Sequence, residues 1–196
     1  MTWCIGLLVI SMLPLQFGPR SASAKDHGPI LMRVSDWDTT LRPTAGPNNV
    51  GNCMIVYQDG RLHLELRRQE FFFGQASYVS YEGMLPDRDL TFLRPILDSA
   101  DLKNLPPPPS SKLPLASDHF GWFTAEISRG SGVQEVGYGY SARDGQPKPS
   151  EDDRKVWEKE SQALEPLAQW VRSTKSFDHA EWRKVRNAHS VCGRTF

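Results

Sequence analysis

The sequence predicts an α+β fold: an antiparallel sheet of about four to six strands with two or three helices packed on it. Three observations point there. Strand-like runs Cys53 to Gln58 and Arg61 to Arg67 flank Asp59-Gly60, a hairpin signature. A second pair of runs, His119 to Arg129 and Val133 to Tyr140, is joined through Gly130-Ser131-Gly132. Apolar residues at helical spacing follow Pro86, and again follow Ser150.

The chain opens on an apolar run, Trp3 to Leu13, then Pro14, Gly18, Pro19 and the small residues Ser21-Ala22-Ser23-Ala24. This reads as a signal peptide over residues 1–24, cut at the A-x-A site Ala22-Ser23-Ala24. The run is too short to span a bilayer, which takes about 20 residues. Export to the periplasm or the extracellular space is expected. Residues 25–196 then form a single α+β domain. It carries 22 basic and 23 acidic side chains. That balance gives no general attraction to nucleic acid or to anionic membranes, and no later apolar run predicts a membrane span. Cys53 and Cys192 remain after Cys4 leaves with the leader. An even pair in an oxidising compartment predicts a Cys53–Cys192 disulfide.

Ile30 to Val34 reads as one short strand, and Asp36 to Asn52, with Pro43, Gly46, Pro47 and Gly51, as a long turn-rich loop. A two-residue type I′ turn at Asp59-Gly60 sets Tyr57 opposite Leu62, Ile55 opposite Leu64 and Cys53 opposite Leu66. These six form an apolar, core-facing surface. His63, Glu65 and Arg67 then fall on the other face, which is expected to be solvated. Ser77 to Leu85 reads as a strand. Pro86 starts a helix with Asp87 and Asp89 in its first turn and Leu90, Leu93, Ile96 and Leu97 as its stripe. Pro95 predicts a kink or a stop near Arg94. A Pro-rich loop occupies residues 106–114. The helix after Ser150 buries Ala163, Leu164, Leu167, Trp170 and Val171, with Val156 on the same side and a kink at Pro166. Asp178 to Val185 suggests a last short helix with Trp182 and Val185 inward.

The order of Asp59-Gly60, Tyr81-Glu82-Gly83, a helix from Pro86-Asp87 to Leu97-Asp98-Ser99, two strands and a helix ending Trp170-Val171-Arg172 resembles a loose group of exported bacterial domains of unknown function. The resemblance covers roughly residues 53 to 173 and implies a small α+β domain in the bacterial envelope. Pro95 departs from the uninterrupted helix usual there. The resemblance carries no catalytic residues to this chain.

No G-x-S-x-G, G-x-G-x-x-G, P-loop or C-x-x-C occurs, and no two histidines are four residues apart. No cofactor is therefore expected. The preferred function is non-catalytic: an envelope domain that binds another protein or a cell-wall component. Plain core packing is the favoured reading of the strand aromatics; should one sheet face be left uncovered, Trp122, Tyr138 and Tyr140 are the binding candidates there for sugar or peptide. The alternative is a small hydrolase or metal-dependent enzyme using exposed polar residues near His63 and Glu65. Asp118-His119 is a poor dyad, since neighbours on a strand point apart. A third reading uses the mature terminus. The free amine of Lys25, the amides that follow through Asp26 and the His27 imidazole suit square-planar Cu(II) or Ni(II).

Overall fold

The computed structural model describes residues 28–40, 49–69, 77–108, 119–141, 151–175, 183–185 and 192. The expected leader, the Lys25-Asp26-His27 terminus, residues 109–114 of the Pro-rich loop and Asp118 lie outside them. The architecture is α+β. Six long strands are β1 (Ile30–Thr40), β2 (Asn49–Tyr57), β3 (Arg61–Gln69), β4 (Ser77–Met84), β5 (His119–Arg129) and β6 (Gly132–Ser141). A three-residue strand, β7 (Arg183–Val185), completes one sheet of order β6-β5-β1-β2-β3-β4-β7. Every pairing is antiparallel. The helices are α1 (Asp87–Asp98), α2 (Ala100–Lys103) and α3 (Glu151–Lys175).

One sheet face holds the main core. Met32 and Val34 of β1, Met54 and Val56 of β2, and Leu62 and Leu64 of β3 meet Phe123, Ala125 and Ile127 of β5 and Val136 of β6. The helices cover this face with Leu93 and Leu97, Leu102, and Leu164, Leu167, Trp170 and Val171. Burying each of the Val, Leu, Ile, Met and Phe side chains contributes about 1.5–3 kcal/mol. Val156, expected on the inner side of α3, is instead exposed. Trp157 Nε1 donates to the Gly139 carbonyl at 2.6 Å and ties α3 to β6. Gln134 Nε2 donates to the Leu102 carbonyl at 2.9 Å and ties α2 to the same strand.

Four local expectations are corrected. The β2–β3 hairpin pairs Val56 with Leu62, Met54 with Leu64 and Asn52 with Leu66, one residue off the expected register. Its loop has three residues, Gln58-Asp59-Gly60, with Gly60 N–H donating to the Tyr57 carbonyl at 3.0 Å. Only Gly60 takes positive φ, +85°; Asp59 does not. That is a turn closed by a left-handed glycine, the usual form of a three-residue hairpin. A one-residue change in loop length moves every partner to the other face. The leucines therefore share their face with Met54 and Val56, and Cys53, Ile55 and Tyr57 turn to the side of His63 and Glu65.

β1 continues through Asp36 and Trp37 to Thr40, across part of the stretch expected to be loop. It lies between β2 and β5, so its backbone is paired on both edges. α1 does not stop near Arg94 but runs on through Pro95 to Asp98. Pro95 and Thr91 are exposed, so water can satisfy the Thr91 carbonyl that a proline nitrogen leaves without its donor. Buried Leu93 and Leu97 hold the helix on either side. In the tail, Arg183–Val185 is not helical; it pairs with Ser80, Tyr81 and Glu82 of β4. The β5–β6 hairpin uses Gly130-Ser131, with positive φ, +58°, at Gly130 alone. That places glycine at the first turn position of a type II′ connection.

Candidate functional site

The second sheet face carries Trp37, Trp122 and Tyr78 together with most of the charged side chains of the strands, and none of the helical core residues packs there. Strand alternation and register arrange it in three rows across the strands. The first row is Glu135, Glu126, Arg33, Ile55, His63 and Glu82. The second is Gly137, Thr124, Ser35, Cys53, Glu65 and Ser80. The third is Gly139, Trp122, Trp37, Gly51, Arg67 and Tyr78.

The middle of this face is closed. His63 is 4% exposed, Glu65 3% and Ser80 0%. Cys53, Ile55 and Tyr57 form a small second core with Cys192, and Ile30 packs against it. Cys53 and Cys192 stand at disulfide distance, with Cα atoms 6.2 Å apart, inside the usual range for a bridged pair. His63 and Glu65, expected on a solvated face, are thus buried beside two sulfurs. The three-residue loop turns them toward Cys53, and Cys192 arrives from the far end of the chain. His63 Nε2 lies 3.9 Å from Glu65 Oε2, too far for a hydrogen bond. It has no hydrogen-bond partner among the described residues. One ligand atom from each of His63, Glu65 and Cys192 falls within 4.8 Å of the other two.

In the third row Trp122, Trp37, Arg67 and Tyr78 are half-buried. Gly51 makes the row possible: a Cβ there would stand 2.4 Å from Trp37 Cε3, so only glycine lets the indole lie across β2. The Arg67 guanidinium stacks 4.4 Å from the Trp37 ring centroid and 5.9 Å from that of Tyr78. On the first row, Arg33 donates to Glu126 at 3.1 Å.

The binding candidates divide. Trp122 belongs to the third row. Tyr138 pairs with Phe123 and points to the opposite, helix-covered face, with ring centroids 6.0 Å apart. Burial pushes its phenol above the ordinary range. Trp122 and Tyr138 therefore do not share a surface. Tyr140 pairs with Gly121 in the β5–β6 ladder, and its side chain lies outside the described residues, as does that of His119. Trp37 and Arg67 complete the row, and sequence reasoning passed over both as binding residues. The available signal was the alternation of Met32 and Val34 with Arg33, Ser35 and Trp37, which continues the strand past Val34. No family model matches the chain, and no curated protein matches it.

Proposed function

We propose that this is an exported, non-catalytic envelope domain that binds a carboxylate-bearing cell-wall glycan along the Trp122-Trp37-Arg67-Tyr78 row. One observation carries the reading: the Arg67 guanidinium is stacked between two aromatic rings on the sheet face away from the helices. Beside those rings the Arg67 guanidinium supplies a cation of the planar kind that recognises carboxylates. Trp and Tyr beside it offer flat apolar surface with polar edges. From Trp122 to Tyr78 the row crosses five strands, about 19 Å at the usual strand spacing, a length suited to a chain ligand.

Sedimentation with purified, insoluble cell-wall sacculi tests this. The protein is expected to co-sediment, and Trp37→Ala and Arg67→Lys are each expected to release it. Lysine keeps the charge but loses the fork, so retention by Arg67→Lys would refute the carboxylate reading. Failure of the parent protein to co-sediment would refute the cell-wall reading altogether. The leader and the cysteine pair support export. Protein recovered from the envelope is expected to begin at Lys25 and, when denatured without reductant, to show no free thiol. The enzymatic alternative required exposed polar groups near His63 and Glu65, and their burial weighs against it.

A further inference from the structure

We infer that Cys53, Cys192, His63 and Glu65 form a zinc site that is closed while the two cysteines are bridged and opens for metal when they are reduced. The donors come from three chain segments. His63 and Glu65 are two residues apart on one face of β3. Cys53 pairs with Glu65 across the β2–β3 ladder. Cys192 comes from the chain's far end, 139 residues from Cys53. Two thiolates, an imidazole and a carboxylate are a donor set that suits Zn(II) in tetrahedral geometry.

The distances are close to what the ion needs. Tetrahedral bonds of zinc to these atoms imply about 3.3–3.8 Å between ligand atoms. Those of His63, Glu65 and Cys192 already lie within 4.8 Å of one another, so metal binding has to draw them together by about 1 Å. His63 Nε2 is the sharper sign. It is buried, directed at this cluster, and without a hydrogen-bond partner among the described residues. A buried ring nitrogen in that condition weakens a fold unless something engages it. A thiolate-bound cation 2.0–2.1 Å away is the kind of partner it takes.

The redox step balances. A dithiol reductant gives two electrons and two protons to the Cys53–Cys192 bridge and becomes a disulfide itself; two protein thiols result. Both thiols release their protons to solvent as Zn(II) binds. In the bridged state neither sulfur is a thiolate, which leaves two donors and no zinc site. Either state clips Cys192 to the sheet, by a covalent bond or by a metal.

The test uses the full chain in a Cys4→Ser, His27→Ala background, which removes the thiol and the imidazole of the N-terminal segment. The chain is reduced in denaturant with a dithiol, refolded without oxygen and titrated with Co(II) as the probe. One equivalent is expected, with a thiolate-to-cobalt charge-transfer band and the intense visible bands of a tetrahedral site. Zn(II) should then displace the cobalt. The bridged chain should show neither band. His63→Gln and Glu65→Gln should each weaken binding by at least about 100-fold, since loss of even an outer partner costs 10–100-fold. Their circular dichroism in the bridged state checks the fold, and the parent's two redox states decide the matter even if a variant unfolds. A folded, reduced parent without the thiolate band would overturn the inference. So would equal binding by the bridged chain, or undiminished binding by both glutamine variants. A reduced chain that unfolds and fails to regain its dichroism on adding Zn(II) overturns it as well.

Discussion

Gly51→Ala strikes the aromatic row at its tightest point. Gly51 lies opposite Trp37 on neighbouring strands. A methyl group there would stand 2.4 Å from Trp37 Cε3 and 2.8 Å from Cζ3. Carbon atoms rest about 3.5–4.0 Å apart, so the indole has to move by roughly 1 Å or more. Forcing a packed ring aside in this way costs about 1–3 kcal/mol. The shift also removes the ring from beneath Arg67, at 4.4 Å from its centroid, which forfeits about 0.5–1 kcal/mol at a partly exposed site. Together, about 1.5–4 kcal/mol lowers the melting temperature by roughly 3–16 °C in a domain of this size. Trp37→Ala in the same chain removes the clash, so the second substitution is expected to restore the room that the methyl needs. A thermal-melt double-mutant cycle is expected to give a coupling of at least about 1 kcal/mol. Gly51→Ala melting with the parent, or simple additivity with Trp37→Ala, would refute the account of why the row has its shape.

Three further outcomes are expected. Gly60→Ala should destabilise by about 1–2 kcal/mol, the cost of a side chain in left-handed backbone, with more from Leu90 Cδ1 at 2.9 Å from the new Cβ; Asp59→Ala should cost less, and chemical denaturation ranks the pair. Pro95→Ala should raise the melting temperature, because it restores a donor to the Thr91 carbonyl inside α1; a lower melting temperature would mean that the proline's rigidity in the unfolded chain dominates. Burial alone raises the pKa of Glu160, so the folded state disfavours its charged form. Stability attached to this group is fully present below its unfolded pKa and lost as pH rises through the higher folded value, so Glu160→Gln should melt higher than the parent at neutral pH and level with it in acid.

The sequence marks where the β2–β3 hairpin turns but not how many residues turn it. Asp59-Gly60 is compatible with a two-residue or a three-residue loop, and the choice rests on the backbone angle of Asp59, which composition does not express. That choice decides which face holds His63 and Glu65. Their burial also depends on Cys192, 139 residues from Cys53, and no local pattern in β3 reports a partner that distant. Cysteine parity did point to the Cys53–Cys192 pair, because with Cys4 assigned to the expected leader only one pairing remains. Trp37 was obscured for a different reason. Flanking Asp36 and Asp38 and the prolines beyond look like turn chemistry, whereas pairing with both β2 and β5 overrides those local preferences. Amphipathic spacing made α1 legible, and its continuation through Pro95 follows from the packing of Leu93 and Leu97.

The sheet order has a kinetic consequence. β1 to β4 form a meander of near neighbours, and β5 with β6 is a hairpin of its own, so both pieces can assemble locally. The seam between them, β1 on β5, joins residues such as Arg33 and Glu126, 93 positions apart. Closing so long a loop costs about 2 kcal/mol more than closing a hairpin, because the entropy grows only with the logarithm of length. The seam is thus slow to form without being expensive once formed. Until β5 docks, β1 is an outer edge with its hydrogen-bonding groups exposed, and an open edge recruits other chains. A chain threaded from its N-terminus spends that interval with the meander made and its seam unclosed. Pulse-labelled hydrogen exchange during refolding should find the β2–β3 amides protected first and those of the β1–β5 ladder last; simultaneous protection would show that the two pieces fold as one.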